Sequence, residues 1–173
     1  PLKRAWCLWE LFCTVAVDSS FHVLLPPNEL ADFKRTLVSR YGDIMLALSK
    51  VNVRNSSASK PEDRDAIIQA VEASPGGASQ LNAVVLALLR DWLAQAGRAA
   101  LAAVAPEERS TSTLITNLAI LLKDQGKLEE AEPLYRKALE GHREKLGDTH
   151  PNTLMSLNNL ANLLSDQGKL EEA

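Results

Sequence analysis

Asp124-Gln-Gly-Lys-Leu-Glu-Glu-Ala131 returns unchanged as Asp166-Gln-Gly-Lys-Leu-Glu-Glu-Ala173, a spacing of 42 residues. A fixed period of this length marks a repeat architecture. The match runs upstream as well, since aligning Leu114–Ala131 with Ser156–Ala173 gives 13 identities in 18 positions. Ile115, Leu118, Ala119 and Leu122 fall at i, i+3, i+4 and i+7, which places them on one face of a helix. Leu157, Leu160, Ala161 and Leu164 repeat that pattern. Gly126 then breaks the period and suits a helix C-terminus, because it accepts positive φ without a Cβ clash. A second helix is expected to follow, with Leu128, Ala131, Tyr135, Ala138 and His142 on its buried side. The unit is a helical hairpin.

Leu118, Ala119, Ala131, Tyr135 and Ala138 resemble the buried positions of the tetratricopeptide repeat, and Leu160, Ala161 and Ala173 resemble them in the second copy. The family norm is about 34 residues, so the longer unit here is expected to lengthen the second helix and the loop Gly147-Asp-Thr-His-Pro-Asn152. With Asn-Leu-Ala in the first helix and Glu-Ala-Glu-Pro-Leu-Tyr in the second, it is similar to the kinesin light chain type of repeat. The resemblance implies an α-helical solenoid over residues 106–173, about one and a half units. It also implies a protein or peptide partner on the concave face lined by first helices, with self-association through the repeats as a further option. Asn117 and Asn159 hold the same position in the two copies, just before the Leu-Ala pair, where a carboxamide can both donate to and accept from a peptide backbone. Asn158 and Asn162 lie near the same groove. The alternative is that these amides bridge neighbouring repeats. Ala173 falls inside the second helix of the second copy, so the chain is expected to be a segment of a longer protein.

Residues 1–105 lack the repeat. Leu2–Val17 reads as a helix, Phe21–Leu25 as a short buried strand stopped by Pro26-Pro27, and helices are expected over Asn28–Arg40 and Asp43–Val51. Asn55–Ser59 reads as a polar loop, and Ser59 with Glu62 as a capping box opening a helix to about Ala73. Pro75-Gly-Gly77 reads as a turn before a long helix over Leu81–Val104, with Pro106 marking the boundary. A single strand implies an α/β domain continuing before Pro1. Arg4-Ala-Trp-Cys-Leu-Trp-Glu-Leu11 resembles the Ser-x-Trp-Cys-x-x-Glu-Leu motif of TIR domains, on a late helix of a flavodoxin-like sheet. That resemblance implies the C-terminal part of a TIR-like domain. In the enzymatic members the motif glutamate, here Glu10, is needed to cleave the glycosidic bond of NAD, as a carboxylate can stabilise an oxocarbenium-like sugar. Arg4 stands where the family has Ser, and many such domains are adaptors. Residues 1–173 alone are not expected to turn over NAD.

Lys plus Arg number 19 against 22 Asp plus Glu, a net charge of −3 with no basic block, so neither nucleic acid nor an anionic membrane is an expected partner. The strongest apolar run, Leu81–Leu89, is too short to span a bilayer. Cys7 and Cys13 have no zinc or redox spacing and read as reduced thiols of a cytoplasmic protein. Asn55-Ser-Ser57 fits a glycosylation pattern, but no secretory leader accompanies it. His22, His142 and His150 are too scattered for a metal or nucleophilic constellation, and no phosphate-binding Gly-Lys-Ser/Thr loop occurs. No cofactor is expected, NAD entering only as substrate under the TIR-like alternative. A scaffold binding a partner through Asn117 and Asn159 is the leading expectation. A TIR-like signalling or NAD-cleaving protein with the repeats as sensor, and a kinesin-light-chain-like cargo adaptor, are the alternatives.

Overall fold

A computed structural model describes residues 5–16 and 26–169. These residues are mainly helical: α1 Ala5–Ala16, α2 Pro27–Ser39, α3 Tyr41–Ser49, α4 Pro61–Ala73, α5 Gly77–Ala103, α6 Thr113–Asp124, α7 Leu128–Leu146 and α8 Pro151–Asp166, with 3₁₀ turns at Val53–Asn55 and Arg109–Thr111. No strand is found among the described residues, and the expected strand Phe21–Leu25 lies outside them. The chain packs as two units, residues 1–26 with 42–92 and residues 27–41 with 93–173.

In the first unit Ala78, Leu81, Val85 and Leu89 of α5 form one buried stripe against Ile67 and Val71 of α4, Ala5 and Leu8 of α1, and Val53. Asn82 Oδ1 accepts a bond from Val53 N at 2.9 Å, and Arg64 of α4 donates to the carbonyls of Ser56 and Arg54 at 3.0 and 2.8 Å. The capping box at Ser59 does not form. Lys60 is the cap residue and makes no side-chain bond, because Pro61 occupies the first helical position with its φ already suited to a helix start and no amide to satisfy. α5 begins at Gly77, earlier than the apolar pattern suggests, because Gly76 (φ +78°) and Gly77 (φ +54°) turn the chain tightly out of Ser74.

The second unit is built on the α6–α7 hairpin, with α8 packed on α7. Both first helices end alike. Lys127 N bonds Leu122 O at 2.9 Å around Gly126 (φ +75°), and Lys169 N bonds Leu164 O at 2.8 Å around Gly168 (φ +75°). Two further bonds, Gly126 N to Lys123 O and Gly168 N to Ser165 O, complete the same helix-ending motif in each copy. Ile115, Leu118, Ala119 and Leu122 are buried as the spacing predicts, as are Ala131, Tyr135, Ala138 and His142. Leu128 is only half-buried, since it is the first residue of α7 and projects at the hairpin's end. In the second copy Leu160 and Leu164 are buried, Ala161 is half-buried, and Leu157 is 41% exposed where its counterpart Ile115 is fully covered. The difference is one of neighbours: α7 follows α6 and packs on it, while no helix after α8 lies among the described residues.

Candidate functional site

Ser112 caps α6 by accepting a bond from Leu114 N at 3.3 Å, which sets the register of the helix that carries Asn117. Asn117 sits beside the buried Leu118-Ala119 pair and is half-buried. Its Nδ2 donates to the carbonyl of Leu37 at 3.3 Å, a residue 80 positions earlier in the last turn of α2. Carbonyls in the last turn of an α-helix lack a donor from their own helix, so Asn117 acts as an end cap supplied from another helix. The Leu37 side chain is 3% exposed. Burying a leucine contributes about 1.5–3 kcal/mol and a neutral hydrogen bond about 1 kcal/mol, so apolar contact dominates and the amide selects the docking position.

Asn159 occupies the matching position on α8 and is also half-buried, with no hydrogen bond among the described residues. Asn158 and Asn162 are exposed. Met155, one turn before Asn159 on the same stripe, is 49% exposed, and Leu154 is 53% exposed. Lys123 Nζ and Asp166 Oδ2, at the ends of α6 and α8, pair at 2.9 Å and tie the two Asn-bearing helices together.

α7 fixes both helices. Tyr135 is buried, and desolvation, assisted by the charge of Asp124, pushes its hydroxyl up to about 12. Glu132 accepts bonds from Lys169 and Arg136, each at 2.8 Å, and these hold its carboxyl down to about 2. His142 Nδ1 lies 2.8 Å from Ser156 Oγ across the α7–α8 contact, and burial lowers the imidazole below its ordinary value against a hydrogen bond to the Thr111 backbone. Ser156 is 1% exposed, so this pair joins repeats and is closed to a substrate. His150 Nδ1 accepts a bond from Asn152 N at 3.1 Å and caps α8.

Glu10 is exposed on α1 in the first unit, and its carbonyl accepts from Thr14 Oγ1 at 2.8 Å. Cys7 and Cys13 are half-buried free thiols. Among the described residues no three His, Cys, Asp or Glu side chains converge on a metal position, and no helix is long and apolar enough to cross a membrane.

Three contributors escaped the sequence reading. Leu37 could not be linked to Asn117 by any local pattern. Glu132 drew no reading of its own from the sequence, yet it accepts bonds from Lys169 and Arg136. Gly141 is buried where a Cβ would strike Ser110, so only glycine lets the Arg109–Thr111 turn seat against α7.

Residues 110–173 match the family model of the tetratricopeptide repeat, a stretch of 64 among the 173 residues. No curated protein and no solved structure matches the chain. The repeat match gives this segment a general role in protein–protein interaction.

Proposed function

We propose, taking residues 110–173 as tetratricopeptide repeats, that the first-helix face bearing Asn117, Asn159, Asn158 and Asn162 binds a partner protein by its main chain and adjoining apolar side chains. The observation that carries this reading is the bond from Asn117 Nδ2 to the Leu37 carbonyl. At this position the amide holds a backbone group from elsewhere in the sequence, which is the contact a bound partner requires. Asn159 offers the same donor one repeat later, beside the exposed Met155. The 42-residue unit and the His150-Pro151 start of α8 support the kinesin-light-chain-like subtype, under which the partner is a cargo or adaptor. The test places the photoreactive amino acid p-benzoylphenylalanine at Asn162 of the full-length protein in cells, with Glu144 of α7 as control. Crosslinks to a partner from Asn162 and not from Glu144 are expected. Crosslinks to partners from Glu144 alone would overturn the reading.

A second reading is favoured by the placement of the Trp-Cys-x-x-Glu-Leu segment, which lies on a helix with Leu8 buried and Glu10 exposed. In it the first unit is the late part of a TIR-like signalling domain, catalytic or adaptor, with the repeats as sensor or oligomerisation platform. NAD consumption by the full-length protein that is abolished by Glu10→Ala supports it, and consumption unchanged by Glu10→Ala removes Glu10 from the chemistry.

A further inference from the structure

We infer that α2 is a displaceable internal ligand of the repeat face, and that the partner is an amphipathic helix which replaces α2 through the same helix-end contact; the inference rests on the reading of the Asn117 face as the binding surface. Three observations carry it. First, α2 belongs to the repeat unit, whereas α1 before it and Gly42–Ser49 of α3 after it belong to the other unit.

Second, α2 has the form of a ligand helix. Phe33 and Leu37 lie one turn apart, half-buried and buried, while Glu29, Asp32, Arg35 and Ser39 are exposed. Its C-terminal turn presents the Leu37 carbonyl to Asn117 Nδ2. Helix-in-groove recognition reads apolar anchors at helical spacing; the added amide contact selects helices that end at the groove, since a carbonyl inside a helix is already bonded. The contact points to a helix terminus as the backbone that the Asn117 amide engages.

Third, the face is only partly occupied. Asn117 is engaged, but Asn159, which occupies the equivalent position of α8, is unbonded among the described residues, and Met155 beside it is exposed. A partner helix can engage the second repeat while α2 still holds the first, and then compete with it. Because α2 is tethered at both ends, its effective concentration is on the order of millimolar. A weak internal contact is then enough to keep the face closed to low-affinity ligands and open to a stronger one.

The probe is a fluorescein-labelled synthetic peptide of residues 26–41, titrated with the full chain and followed by anisotropy. The wild-type chain is expected to bind it weakly, and Leu37→Asp in the chain, which unseats the internal copy, to bind it about tenfold more tightly. Adding Asn117→Ala to that variant should reverse the gain. No gain on Leu37→Asp overturns the displacement, while the Asn117 face remains testable by the crosslinking above. A gain that Asn117→Ala leaves intact overturns the helix-end contact. A measurement on the unaltered chain covers misfolding of Leu37→Asp. Excess peptide labelled with ¹³C and ¹⁵N, distinguishable by mass, should speed amide exchange of residues 27–39 in the chain while residues 113–124 stay protected. Unchanged exchange over 27–39 at saturating peptide refutes the inference.

Discussion

Replacing Gly141 by alanine tests how the Asn-bearing helix is seated. A Cβ at Gly141 would lie 2.3 Å from Ser110 Oγ, 2.4 Å from Ser110 Cβ and 3.1 Å from the Ser110 carbonyl carbon. Rotating the hydroxyl relieves only the first of these. The other two involve atoms fixed to the backbone, so the Arg109–Thr111 turn must retreat from α7. That turn leads directly into the Ser112 cap of α6, and Lys145 of α7 donates to the Glu107 carbonyl beside it. Two effects oppose. Alanine is favoured over glycine inside a helix by about 0.5–1 kcal/mol, whereas overpacking costs about 1–3 kcal/mol. The contacts at backbone atoms put this site at the upper end, so a net loss of about 2 kcal/mol is expected. For a chain of this size that corresponds to a fall in melting temperature of about 4–8 °C. Differential scanning calorimetry of Gly141→Ala, Ser110→Gly and the double variant reads it, and Ser110→Gly should absorb most of the loss by removing the Cβ and hydroxyl. A Gly141→Ala protein as stable as wild type or more so would refute the packing argument.

Acid should weaken the second unit in two steps. His142 is held below its ordinary value by burial, so the stability tied to its neutral form is complete above about pH 6.5 and is lost as pH falls toward its lower folded value; His142→Gln should flatten this slope in thermal melts. Glu132 is held at about 2 by Lys169 and Arg136, so its contribution is complete above the carboxylate value of 4.5 and disappears as pH falls from there toward 2, a loss Glu132→Gln should abolish. The two equivalent positions Ile115 and Leu157 should differ in urea denaturation: Ile115→Ala is expected to cost about 2–5 kcal/mol, and Leu157→Ala, exposed in α8, about 0.5 kcal/mol or less. Equal costs would contradict the assigned packing of α8.

The hairpin was legible because its determinants are local and occur twice. Leu118, Ala119 and Leu122 fix a helix face by spacing, and Gly126 and Gly168 supply the positive φ that ends each first helix. Burial at Leu157 was not legible, since periodicity identifies a face without saying what covers it. Ser59 was misread because a capping pattern and a proline at the first helical position compete for the same start, and Pro61 sets φ outright. Asn117 stood out from its repeat with Asn159, yet its bond to Leu37 was invisible: the contact spans 80 residues, and nothing in Pro27–Ser39 distinguishes it from a helix belonging to its chain neighbours. Gly141 carried no local signal, because what requires glycine there is Ser110, packed against it from the Arg109–Thr111 turn.

The most direct measurement is the affinity of a partner recovered by crosslinking at Asn162 for the purified full-length protein, compared with Asn117→Ala/Asn159→Ala. Asn159 is unbonded among the described residues, so losing its bond to a partner main chain is worth about 1 kcal/mol and binding roughly fivefold weaker is the predicted result. Asn117 exchanges the Leu37 carbonyl for the partner, so its loss shows as a melting temperature lower by about 2–4 °C. Equal affinity in a folded double variant would contradict the claim that these amides hold the partner.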